Sequence, residues 1–156
     1  MPASASCGFT ISFQQRYFAA TLEQAAAELA ESTQPDPELA PVEQLSASLE
    51  AYLVWVERHA GAYQKLITNV GAIPEVRELV ERVRRETADR ILAGIAPQGA
   101  APPLRAAVRG WMWFMDGAIL DWIEHRDIDR ERLQGLLLGT LLGAVTASGE
   151  PIDVAG

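Results

Sequence analysis

Apolar residues recur along this chain at helical spacing and nowhere in strict alternation, which predicts helices rather than strands as its building elements. Phe18, Leu22, Ala25 and Leu29 mark a first helix from about Gln14 to Glu31, closed by the proline-rich stretch STQPDPELAP. Val42, Leu45, Leu49, Tyr52, Leu53 and Val56 mark a second that runs to Arg58, and GAYQKLITNV a short third after the break at Gly61. Pro74 sits where a first-turn proline is tolerated, opening a fourth helix with the stripe Val76, Val80, Val83, Thr87 and Ile91 that stops before AGIAPQGAAPP. Pro102 or Pro103 opens a fifth that ends near His125, and Asp129 is placed as the N-cap of a sixth. The pattern predicts an all-α bundle of about six helices.

The last two helices carry more apolar surface than one core needs. In the fifth, Leu104, Ala107, Val108, Trp111, Phe114, Met115, Ala118, Ile119 and Trp122 form one broad face, while Met112, Trp113, Leu120 and Ile123 fall on the other side, interleaved with Arg109 and Asp116. In the sixth, only Gln134, Thr140 and Thr146 are polar between Leu133 and Ala147, and Gly135, Gly139 and Gly143 leave a row without side chains. A helix that is apolar all round is covered all round, so each of these two helices is expected to give one face to its own core and another to a second copy of the chain. Met112, Leu120, Ile123, Leu137 and Leu141 are the residues expected at that homodimer contact.

Composition narrows the function. The chain has 156 residues, enough for one domain with its own core, and a formal net charge of −8, which opposes binding to nucleic-acid phosphates. The arginines are interleaved with carboxylates, as in EVRELVERVRRETADR, where Glu78 precedes Arg82 and Glu81 precedes Arg85 at ion-pair spacing. That run reads as a solvated helix face. The single cysteine, Cys7, rules out an intramolecular disulfide, and no apolar run is long enough to cross a membrane. With no signal-peptide pattern at the start, a cytoplasmic location is expected.

The chemistry of an enzyme is not legible. His59 and His125 are the only histidines, and neither stands in a metal-ligand spacing. Nucleophile elbows, phosphate-cradling loops and dinucleotide fingerprints do not occur in the sequence. No catalytic residue, metal or cofactor is therefore expected.

The stretches LEAYLVWVERHAGAYQKLI and LRAAVRGWMWFMDGAILDWIEHRDIDRERLQGLLLGTLLGAV, separated by a charged amphipathic helix, resemble the C-terminal regulatory domain of TetR-family transcriptional regulators. The resemblance covers about Phe13 to Ala147. The RGW…F…W helix followed by RD…RERL carries most of it, and VERHAGAY adds a weaker marker. It implies a homodimer built on the last two helices and a small-molecule pocket inside the bundle whose occupancy controls a helix-turn-helix. That DNA-reading half is expected to be missing here, since ISFQQRYFAATLEQAAAEL matches the start of the helix that follows it. The expected organisation is a flexible segment over 1–12, a ligand-binding and dimerisation domain over 13–147, and a frayed tail over 148–156.

Spacing and resemblance together place Tyr52, Trp55, His59, Tyr63, Leu66, Val80, Trp111, Phe114 and Met115 around the pocket. Aromatic and methionine side chains offer large adaptable surfaces, and a phenol or imidazole can orient one polar group of a guest. The expected guest is a flat or amphipathic small molecule. The alternative is a stand-alone helical dimerisation or interaction protein with no specific ligand.

Overall fold

A computed structural model describes residues 6–151. Among them lie six α-helices and no strand: α1 (Ser6–Ser32), α2 (Pro41–Arg58), α3 (Ala60–Thr68), α4 (Pro74–Ile95), α5 (Pro102–His125) and α6 (Arg130–Ala147). Helix α1 starts at Ser6 instead of near Gln14, so most of the segment expected to be flexible is helical, and residues 1–5 lie outside the described part. Helix α4 runs on to Ile95, past the expected stop, because nothing in Ala93-Gly94-Ile95 forbids the turn until Pro97 is reached.

Local chemistry sets most boundaries. Pro41, Pro74 and Pro102 each occupy the first turn of a helix, where their missing N–H has no helical partner to lose. The Ala40 backbone N–H donates to the Glu43 carboxylate at 3.2 Å, satisfying one of the free donors at the start of α2. Asp129 caps α6 as expected, its Oδ1 accepting the Arg132 backbone N–H at 2.8 Å, a contact of about 1 kcal/mol. Helix α5 ends at Arg126, which turns the chain in the left-handed region at φ 52° while its N–H closes on the Trp122 carbonyl.

The core is centred on α5, which packs most extensively on α6 and α4. Leu53 and Val56 of α2, Leu104, Val108 and Ile119 of α5, and Leu133, Leu137 and Leu141 of α6 are withdrawn from solvent. The tryptophans of α5 divide the labour. Trp111 points inward and its Nε1–H donates to the Leu137 carbonyl at 2.9 Å; Trp122 does the same to the Ile128 carbonyl at 2.9 Å. Their large rings bury with the polar tip satisfied, which removes the usual penalty of burying an indole. Trp113 lies outside, 65% exposed.

The outer face of α5 and α6 differs in its members from the expectation. Met112, Leu137 and Leu141 are buried within this one chain, and Leu120 and Ile123 are half-buried against its core. The exposed bulk is instead Trp113, Phe114 and Leu136, flanking Gly110, Gly117, Gly135, Gly139 and Gly143, whose missing side chains would meet nothing within 4 Å. A helix as uniformly apolar as α6 offers no polar side to orient it, so spacing alone could not say which leucines turn inward.

Candidate functional site

Helix α4 is charged on most sides, yet Val80, Val83, Thr87 and Ile91 follow one another on its inner surface and stop short of the opposite helices. The gap they leave is a cavity of about 460 Å³, partly open to solvent and lined by residues of α1 to α5 and of the segment between α1 and α2. Its volume falls in the range of small-molecule sites, and its walls are mostly aliphatic and aromatic.

Of the residues expected here, Tyr52 and Trp55 of α2, with Tyr63 and Leu66 of α3, line the cavity. Val80 of α4 and Trp111 and Met115 of α5 complete that set. His59 and Phe114 do not belong to it. His59 lies at the exposed junction of α2 and α3, stacked on Trp55 with ring centroids 4.7 Å apart and Nδ1 2.8 Å from the Trp55 carbonyl oxygen, so it closes a helix end and is not part of the cavity lining. Phe114 is turned outward by the pitch of α5, one residue away from the inward Met115.

Helix α1 was not expected in the site, but Leu22, Ala26 and Leu29 form one of its walls. Small alanines on this face keep α1 from filling the space. Arg82 ties the helix down by donating from Nη2 to Glu23 at 2.7 Å, which replaces the expected pairing with Glu78. Neither the Glu78–Arg82 pair nor the Glu81–Arg85 pair forms among the described residues.

The polar end of the cavity is a network that pattern reading missed. Asp116 of α5 is buried, and its Oδ2 accepts from Arg84 Nε at 2.8 Å and from Arg84 Nη2. Its Oδ1 accepts the Tyr63 hydroxyl at 2.9 Å, and Tyr52 in turn donates to the Tyr63 oxygen at 3.3 Å. The two phenol rings meet edge to face, with centroids 6.3 Å apart. Burial, reinforced by the neighbouring Asp116 charge, holds both hydroxyls above the ordinary phenol range, so they serve as neutral hydrogen-bonding groups. The guanidinium of Arg84 also lies 4.2 Å from the Trp113 ring centroid on the outside of the bundle.

The signal for this network was present. Arg84 lies four residues after Val80 and four before Ala88, both buried, and Asp116 four after the buried Met112 and three before Ile119. Two opposite charges on core-facing rows of neighbouring helices are a pairing pattern. The density of charge in α4 masked it.

At this site no arrangement of nucleophile and base is formed among the described residues: the buried carboxylate is held by its ion pair and a phenol. Among the described residues no group of His, Cys, Asp and Glu side chains is placed to hold a metal, and no helix is long and apolar enough to cross a membrane. The geometry suits recognition of a guest by shape and a few polar contacts.

The family model described as "Tetracyclin repressor-like, C-terminal domain" matches residues 41–143, from the first turn of α2 into α6. The α1 wall of the cavity falls outside the matched segment. Neither the curated proteins nor the solved structures yield a match.

Proposed function

Since this chain belongs to the tetracyclin repressor-like C-terminal domain family, we propose that it is the regulatory part of a TetR-type transcriptional regulator, a homodimer that senses an apolar or amphipathic small molecule. The observation that carries this reading is the cavity of about 460 Å³ with a polar network at one end. A core built only for stability closes such space, because interiors pack to crystal-like density and voids cost contacts. Occupancy would act through α1 and α4, the two helices that the Arg82–Glu23 pair joins over the cavity.

Dimerisation is supported by the exposed Trp113, Phe114 and Leu136 beside the empty glycine rows of α5 and α6. Small residues let helix backbones approach closely, and exposed apolar surface of this kind is characteristic of contact sites. The net charge of −8 sets the domain against phosphate backbones, so any reading of DNA belongs to a helix-turn-helix and not to these helices.

The test is a thermal-shift and tryptophan-fluorescence screen of apolar and amphipathic compounds, since Trp55 and Trp111 line the cavity and report its occupant. Compounds that raise the melting temperature and change the emission in a saturable way support a sensor. A screen in which none does either, with a chain that is folded and dimeric, favours the alternative of a helical interaction protein without a ligand.

A further inference from the structure

Building on the cavity as a ligand site, we infer that its guest is an uncharged molecule that donates a hydrogen bond, as a hydroxyl does, to the Tyr52 phenolic oxygen. Two independent features of the cavity wall lead there.

The first is charge. The polar groups that line the cavity include the carboxylates of Glu23, Glu86 and Asp116 and the guanidiniums of Arg82, Arg84 and Arg90, equal in number. At the deep end Asp116 is neutralised by Arg84 through two hydrogen bonds, and both its oxygens are occupied. An ionic group brought to this deep end would lose its hydration and find no uncompensated opposite charge, since Glu23, Arg82, Glu86 and Arg90 lie at exposed positions of α1 and α4. Such a transfer is strongly unfavourable.

The second is the direction of the hydrogen-bond chain. An ionised carboxylate can only accept, so the Tyr63 proton is committed to Asp116. Tyr63 then has no proton left, and the contact between the phenols can only be a donation from Tyr52. Tyr52 thus directs its one proton at Tyr63, across a long 3.3 Å contact, and keeps acceptor capacity on its oxygen, at a residue that lines the cavity. A guest must bring the donor. Trp55, three residues on along α2 and also on the cavity wall, has a buried Nε1–H with no partner among the described residues, so a group that accepts as well as donates suits this wall best.

The test compares four probes with one apolar body: 1-decanol, decyl methyl ether, decanoate and decylammonium, titrated against the full chain by tryptophan fluorescence. The expected order places decanol first, about fivefold tighter than the ether, the worth of one neutral hydrogen bond, with both ions weakest. Tyr52→Phe should abolish the advantage of the alcohol while leaving the ether unchanged. Tyr63→Phe provides a second reading should Tyr52→Phe not fold: it frees the Tyr52 proton, so the ether should gain on the alcohol. Equal binding of alcohol and ether by the unaltered chain, or tightest binding of either ion, overturns the inference while leaving a ligand site in place. Binding of none of the four overturns the inference and the ligand site together.

Discussion

Arg84 and Asp116 face each other across the contact of α4 with α5, Nε 2.8 Å from Oδ2, in the only ion pair among the described residues with both side chains largely withdrawn from solvent, 13% and 9% exposed. The other ion pairs lie on the surface, where solvent screening leaves them worth little. Through Tyr63 the pair also fixes α3, and through the Trp113 ring it reaches the outer surface of the bundle. One charge pair therefore joins the cavity wall to the face proposed for dimerisation.

Removing one partner should cost far more than removing both. Asp116→Ala leaves a guanidinium in a low-dielectric site and takes the acceptor from Tyr63, so a loss of about 3 kcal/mol in urea unfolding is expected. The double variant Arg84→Met with Asp116→Leu replaces the pair by apolar groups of similar size and should recover the part of that loss due to the stranded guanidinium, leaving only the cost of the unpaired Tyr63 hydroxyl. A single variant within about 0.5 kcal/mol of the unaltered chain would show that the pair is open to water.

The phenols give a signature at alkaline pH. Burial raises the Tyr52 and Tyr63 hydroxyls above the ordinary value of 10.0 in the folded chain, whereas the unfolded chain ionises near that value. The unfolded state then releases protons that the folded state holds, so the stabilising contribution is complete below about pH 10 and is lost as pH rises beyond it. Tyrosinate absorbance is expected to show two of the three tyrosines appearing only with the loss of helical circular dichroism. Smooth titration of all three in a folded chain would contradict the buried network.

The dimer face can be tested by residues that spacing alone would not have chosen. Leu136 is 47% exposed beside the glycine row, and Leu136→Glu should give a folded monomer by analytical ultracentrifugation. Leu141 is fully buried in its own chain, so Leu141→Glu should abolish folding instead of separating subunits, because it puts an unpaired carboxylate into the core. A Leu136→Glu variant that remains dimeric would move the contact elsewhere.

The contrast between these two leucines shows what the sequence carries and what it does not. Helix number and most boundaries follow from prolines, the Asp129 cap and apolar spacing, all of which act within a few residues. Seven of the nine residues expected at the pocket line the cavity, because Tyr52, Tyr63, Val80 and Met115 sit on stripes that must face inward. What stayed hidden depends on the partner. Whether Leu136 or Leu137 faces the core is decided by where α5 lies, and whether Arg84 is solvated is decided by Asp116, distant in sequence. The inner wall given by α1 was hidden for the same reason: its alanines matter only because they fail to fill a gap between other helices.

That gap makes a last prediction with an unusual sign. Enlarging a side chain in a packed core forces strain of about 1–3 kcal/mol, and Val56, fully buried in α2, should behave so when replaced by Phe. Val83 of α4 borders the cavity and is only half-buried, so Val83→Phe places the added ring in empty space, where it gains contacts without displacing neighbours. Its melting temperature should hold or rise, while 1-decanol, which competes for the same volume, should bind at least about tenfold more weakly, a loss of about 1.4 kcal/mol. Destabilisation of both variants to a similar degree would mean that the space beside Val83 closes in solution, and the sensor reading would lose its cavity.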